Sequence, residues 1–454
     1  GGVPPPPDTL TILVGLASHP NVRIALLVLR TLYNLSFDDA VRASLVESGI
    51  VKVLVDHLRN PPFRHVVLLL LYHFSMDQRC KSLMAYYKEG MLMLLQLVVH
   101  YPEPRVGKDL VALAINLSTH PGAAEVMVHS GLFPQVMLRV LKTRDSLLCK
   151  VIRNVASHKD ITDPMYELLQ NDSARLSKWP MEFVRMALAC VDNPDLLVEV
   201  LGTLASLTTQ DVPWGDLCEG GLIDLLHRLL VAGFSEDDVV LECVMLVGNV
   251  ALCREAGPHV AASRLPMLLQ NLLVEKRDDE EIIVQLLFTF QCLLMHEDVR
   301  EVILQDTDVA TCIMRIARSR SRVVHAHVTK TLSSIADFSQ DLLANSEGEP
   351  SWAEQIKTFR FEQHNWEWCQ YAAREASGHS FYDQNAGDDE DDNVACILHG
   401  DRCDDEGGVA GKEVGGIFEQ RRAVVVAEEE FACHWGDAAD AGDLENRDWR
   451  NQVR

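Results

Sequence analysis

A catalytic or metal centre needs nucleophiles, titratable groups or ligands at spacings that a fold can bring to one point, and this chain offers few such sets. Cys396, His399, Cys403, Cys433 and His434 carry suitable atoms for zinc, but their intervals match no common zinc pattern and their surroundings are expected to be flexible. Lys412 follows Gly411 as in a phosphate-cradling loop. Glu406, however, stands where that loop needs its first Gly, and Glu413 where it needs Ser or Thr. His325 and His327 are two apart on an expected helix and face different ways, unlike the i, i+4 pair of a zinc protease helix. Acidic pairs such as Asp38 and Asp39 fall at expected helix ends, where dipole stabilisation explains them. The expectation is a protein with no catalytic residues, no cofactor and no metal site.

What remains is binding, and the polar residues that could do it recur. LYNLSFDDAVR (32–42), LYHFSMDQRCK (71–81), AINLSTHPGAA (114–124), IRNVASHKD (152–160), LGTLASLTTQD (201–211) and VGNVALCREAG (247–257) fall into one register, followed by the weaker FQCLLMHEDVR (290–300) and LSSIADFSQDL (332–342). The third residue of each block serves as a marker: Asn34, His73, Asn116, Asn154, Thr203, Asn249, Cys292 and Ser334. The spacings between them are 39, 43, 38, 49, 46, 43 and 42, averaging near 43. That period lies within the roughly 40 to 47 residues of armadillo and HEAT repeats.

The elements that must position the markers follow from apolar periodicity. Each marker ends a long amphipathic stretch such as PNVRIALLVLRTLYNLS, expected to be the inner helix of a unit. A Gly at 49, 90, 131 and 221 opens a further apolar stretch, where φ > 0 is expected to end one helix and start the next. A single unit cannot bury its apolar face, so units stack, and the expected fold is an all-α, right-handed α-solenoid of armadillo type with an extended concave surface.

Composition supports this class. The 454 residues are 48% hydrophobic and 6% aromatic, ample for a core. A net charge of −25 disfavours nucleic acid and anionic lipid as partners. The longest apolar run, Val66 to Leu71, is far short of the roughly 20 residues that span a bilayer, so no membrane insertion is expected. Cysteines such as Cys149, Cys190, Cys243 and Cys292 are scattered singly through helical patterns, as in a reducing cytosol. A start on Gly1, with no Met, suggests a fragment.

The blocks LYNLSFD, LYHFSMDQRCKSLMAY, IRNVASH, LGTLASLT and EDDVVLECVMLVGNVAL, in order and spacing, resemble the kinesin-associated protein family, the non-motor accessory subunit of heterotrimeric kinesin-II. WAEQIKTFRFEQHNWEWCQYAAR (352–374) resembles that family's Trp- and His-rich end segment. The resemblance covers about residues 20 to 376, lacks the family's N-terminal region, and departs at 160–185, expected to be a longer connection. It implies a non-enzymatic adaptor of the cytoplasm and cytoskeleton, in the cilium or flagellum. Its partners would be the C-terminal tails of two kinesin-II motor chains and cargo or transport-train proteins of intraflagellar transport. An armadillo regulator of small GTPases is the alternative. The expected organisation is a disordered Pro-rich start (1–9), an array of about eight repeats with the first incomplete (10–345), a helical Trp-rich segment (346–376) and an acidic tail (377–454).

Two readings of the markers stay open: helix stacking and C-capping, or, as resemblance to armadillo proteins implies, amides that hold the backbone of an extended peptide. Positions four or eight before a marker share its face and collect Arg30, His65, Lys108 and Lys150 in the first four repeats. Glu199 and Glu242 stand near the corresponding places in the next two. The candidate binding set is Arg30, Asn34, His65, His73, Lys108, Asn116, Lys150, Asn154 and Asn249, with an acidic motor-tail segment near Arg30, Lys108 and Lys150. The charges also suit a solvated helix surface. The tail from 377 carries 20 acidic and 7 basic residues and few large apolar ones, so it cannot offset the entropy of ordering. Limited proteolysis should therefore trim from about residue 377 onward and leave the array intact, whereas protection of that tail would refute its disorder.

Overall fold

Apolar side chains at i, i+3 and i+4 make helices throughout. The computed structural model describes residues 7–172, 176–207, 211–231, 236–316, 322–339, 352–361, 363 and 369, and among these there is no strand. Of the start expected to be disordered (1–9), residues 7–9 instead open the helix Pro7–Leu16, while residues 1–6, the acidic tail and the Cys/His set from Cys396 to His434 lie outside the described residues.

Eight inner helices form the spine: Val22–Leu35, Pro61–Phe74, Lys108–Ser118, Ser146–Ala156, Pro194–Ala205, Asp237–Leu252, Glu280–Leu294 and Arg322–Ser339. Each packs on the next in chain order. From the second unit on, two outer helices precede each inner one, for example Asp39–Glu47 and Ile50–His57 before Pro61–Phe74. This is the armadillo arrangement. The first unit has one described outer helix, Pro7–Leu16. The core is a continuous file of buried side chains, among them Leu29, Leu32, Leu70, Leu71, Leu113, Leu117, Val200, Leu204 and Phe290. Burying each contributes about 1.5 to 3 kcal/mol, enough over many repeats to offset chain entropy.

Short side chains set the helix starts. Asn21 accepts from Arg23 N at 3.0 Å, Asp38 from Val41 N at 3.0 Å and Asp77 from Arg79 N at 2.7 Å, each meeting an amide with no partner in its own helix. Gly49, Gly131 and Gly221 have φ of 80°, 72° and 107°, as their role as helix breaks requires. Gly90 differs: it lies inside the helix Lys88–Val99, and a Cβ there would come within 2.6 Å of Val55 Cγ1. Close helix approach, not a left-handed turn, is what this glycine provides. The stretch 160–185, expected as a connection, instead forms the helices Lys159–Asp172 and Trp179–Ala189, the first holding Pro164 in its interior. Buried Ile161, Met165, Tyr166 and Leu169 anchor it despite the amide that proline lacks.

Residues 352–361 are helical, and Arg360 Nη2 donates to Thr329 O at 3.1 Å and Ser333 Oγ at 2.7 Å on the last inner helix. Nothing lies within 4 Å of an added Cβ at Gly49 or Gly131, so substitution there meets backbone strain alone. Gly49→Ala and Gly131→Ala should each lower the urea-unfolding free energy by about 1 kcal/mol, and Asn, which tolerates φ > 0, should recover part of the loss.

Candidate protein-binding face

The markers end the inner helices, where the last carbonyls have no partner within the helix. Asn116 Nδ2 donates to Ser75 Oγ at 3.0 Å, and Ser75 Oγ donates to Tyr72 O at 2.6 Å. Asn154 Nδ2 donates to Ser118 Oγ at 3.0 Å, which donates to Ile115 O at 2.7 Å. His73 Nδ1 lies 2.9 Å from Ser36 Oγ, whose hydrogen points to Tyr33 O at 2.8 Å, so the imidazole N–H is the donor. The markers of repeats 2 to 4 thus reach back, through a serine two residues after the previous marker, to the preceding helix end. Asn249 Nδ2 does this directly to Ala205 O and is only 7% exposed. These amide nitrogens are committed to stacking, which is the first of the two readings of the sequence. Asn34, at the first described repeat, is exposed with no such partner. The relay stops at repeat 5, where Thr203 bonds its own helix at Glu199 O, 2.7 Å away.

There an ion network takes over. Arg153, one residue before the marker and absent from the set read from sequence, places Nη1 3.4 Å from Glu199 Oε2 and pairs with Glu242 through Nη2. Lys150 Nζ lies 3.7 Å from Glu199 Oε1. Burial alone would lower the Arg153 pKa, but the Glu242 and Glu199 carboxylates outweigh it and hold it raised. For Glu199 burial dominates over Arg153 and Lys150, and its pKa is raised. To reach Glu242 in repeat 6, Arg153 crosses Gly202 in repeat 5. A Cβ at Gly202 would lie 2.8 Å from Arg153 Cζ and 2.9 Å from Glu242 Oε2.

The inner helices divide by charge about this network. Helices of repeats 1 to 4 carry Arg23, Arg30, Arg64, Lys108, Lys150 and Arg153, with Asp109 as their one carboxylate, paired at 3.7 Å with His65. Those of repeats 5 to 7 carry Asp195, Glu199, Asp237, Asp238, Glu242 and the Glu280–Glu281 pair, and neither Lys nor Arg. Of the four predicted basic residues, Arg30, His65 and Lys108 are exposed, whereas Lys150 is half-buried and tied to Glu199. Tyr33, Phe37, Tyr72 and Met76, all unpredicted, stand with the predicted His73 as a largely apolar group on repeats 1 and 2, with Tyr33, Phe37 and Tyr72 placing their rings near its imidazole. Burial and Arg42 hold the His73 imidazole below its ordinary range. Burial pushes the Cys80 and Cys292 thiols up to about 12, away from the range of a reactive thiolate.

Gly202→Ala should cost about 1 to 3 kcal/mol in the parent but be neutral or stabilising beside Arg153→Ala, since alanine is the better helix former once the guanidinium is gone. Chemical denaturation of the four-member cycle measures this sign change. Glu199 has a raised folded pKa, so the folded chain takes up its proton first. Its contribution to stability is therefore lost as pH rises through that folded value and regained on acidification. The stability of the parent relative to Glu199→Gln should rise as pH falls from neutral toward the usual carboxylate range.

No helix among the described residues is long and apolar enough to cross a membrane. Among solved structures the chain is similar to an engineered protein, with a TM-score of 0.61 at 15% identity over 78% of this chain and 88% of that one. It is also similar to a designed armadillo repeat protein, with a TM-score of 0.44 at 14% identity over 54% and 99%. At such identity the first likeness concerns the fold alone. The sequence model of the kinesin-associated protein (KAP) family matches residues 10–405, in line with the resemblance carried by the LYNLSFD, LYHFSMD and IRNVASH blocks. With most of its length matched, the chain belongs to the kinesin-associated protein (KAP) family.

Proposed function

We propose that the chain is a non-enzymatic adaptor subunit of heterotrimeric kinesin-II. Its inner-helix face holds the C-terminal tails of the two motor chains and connects them to cargo or transport-train proteins moving along ciliary or flagellar microtubules. Family membership supports the class of partner. The role of this face rests on one observation: Arg23, Arg30 and Lys108 are exposed and form no ion pair among the described residues. Arg23 and Lys108 moreover sit in the first turns of their helices, where a cation opposes the helix dipole. Helix stability does not ask for cations there, and an acidic partner segment does.

A pull-down with this chain from ciliated cells should recover the two motor chains in equal amounts. Capture of a small GTPase with no motor chain would replace this reading with a GTPase regulator. Combined Arg23→Glu, Arg30→Glu and Lys108→Glu should weaken tail binding by about 1 to 3 kcal/mol at low salt, with the loss shrinking as salt screens it. Lys150 is left out because Glu199 already neutralises it. A folded triple variant with unchanged affinity at low salt would move the motor site off these repeats.

A further inference from the structure

In the apolar group on repeats 1 and 2, His73 ties the two repeats together through Ser36, but the exposed Phe37 has no such duty and Met76 meets the next repeat only at Asn116 Nδ2, 3.7 Å away. Phe37 and Met76 stand three residues after their markers, and the equivalent places hold Thr119, Ser157 and Ser206 in repeats 3 to 5 and Leu252 and Met295 in repeats 6 and 7. Phe37 is nevertheless 62% exposed and Met76 42%. The Phe37 ring meets His73 edge-to-face at 4.4 Å and Tyr33 at 5.2 Å, and Tyr33 lies 5.0 Å from His73. Phe37 is held against two rings with a face left open and Met76 lies beside the Asn116 amide, both in the cationic half of the ladder, whereas the exposed Leu252 and Met295 stand in the acidic half. An open, ordered aromatic surface is what binding anchors use.

The surrounding charge selects the occupant. On these three inner helices the fixed cations face a single carboxylate, Asp109, beside His65, and the carboxylates that follow Phe37 and Met76 are already engaged, Asp38 and Asp77 as caps of the next helices and Asp39 with Arg42. Repeats 5 to 7 are acidic on the same ladder, and the whole chain carries −25. A uniformly charged nucleic-acid strand would be repelled by most of this protein. A short peptide with a few carboxylates can remain within repeats 1 to 3.

We infer that repeats 1 to 3 form a docking site for an acidic linear peptide segment bearing one aromatic side chain. The aromatic ring seats against Phe37, Met76 and Tyr33, and the carboxylates reach Arg23, Arg30 and Lys108. This specifies the segment by which a motor tail is held, and rests on the adaptor reading for the partner's identity, though not for its chemistry.

The test is fluorescence anisotropy of the full chain with labelled synthetic peptides: an acidic one with a central Trp, the same with Ala for Trp, the same with Lys for each acid, and a single-stranded oligonucleotide. The acidic Trp peptide should bind about tenfold tighter than either control peptide. Phe37→Ala with Met76→Ala should abolish the preference for Trp over Ala while keeping acidic over basic, and the triple charge reversal should do the opposite. Both residues are exposed, so an unchanged melting temperature certifies the fold of the variant. Absence of either preference in the parent, its survival in the matching variant, or tighter binding of the oligonucleotide overturns the inference. Motor tails captured equally by parent and the Phe37/Met76 variant would overturn this site and leave the adaptor reading standing. Peptide preferences as described, with no tail captured, would do the reverse.

Discussion

Every inner helix ends in carbonyls that its own backbone amides cannot satisfy, and stacking encloses those ends between repeats. How they are met governs the rest of the array. Some are met at the helix end itself, as Tyr72 O is by Ser75 and Ile115 O by Ser118, and others by side chains of the following repeat or the following helix. Asn116 and Asn154 reach back through Ser75 and Ser118, and Asn249 reaches Ala205 O directly. His158 Nε2 lies 2.9 Å from Ser118 O and His296 Nε2 2.7 Å from Ala251 O. Arg42 donates to Ser36 O at 2.9 Å and Arg300 to Leu294 O at 3.0 Å. An enclosed carbonyl left unmet costs about 1 to 3 kcal/mol, so the same few polar types recur at the same register while the apolar residues around them vary.

The marker row therefore belongs to the scaffold, and the binding chemistry lies beside it. In repeats 1 and 2 the residue before the marker is Tyr33 or Tyr72, and burial, with Asp109 adding to it, raises both phenol pKa values. In repeat 4 it is Arg153, and in repeats 5 and 6 it is Gly202 and Gly248. Gly202 leaves room for Arg153 to cross, and a Cβ at Gly248 would come within 3.1 Å of Thr289 Oγ1 on the next inner helix. One column thus passes from aromatic rings to a guanidinium to bare backbone. The cationic and acidic halves of the ladder are neutralised where they meet, because removing opposite charges from water is tolerable only when they are paired.

The candidate site was legible in part. Arg30, His65 and Lys108 follow from helical spacing and stand on the surface as that spacing requires. Lys150 follows from the same rule, yet its charge is cancelled by Glu199, 46 positions ahead of Arg153, on the next inner helix. No local pattern shows which carboxylate a lysine will meet across a stack. Phe37 and Met76 stand within the repeat blocks, but exposure is a property of neighbours, and only the packed array leaves them uncovered.

The sequence by itself determined the helical class, the period, the helix breaks at Gly49, Gly131 and Gly221, and the family, because each depends on residues close together in the chain or on their order. Gly90 and Gly202 carry the same letter for another reason, namely Val55 and Arg153 arriving from other helices. Tertiary structure alone decided which asparagines were occupied, which cations were paired and which apolar side chains stayed open. Those outcomes depend on contacts about forty residues apart in sequence, as in the bonds Asn116 and Asn154 make to the repeat before them. Helical periodicity fixes the direction a side chain leaves its own helix, and stacking fixes what it meets.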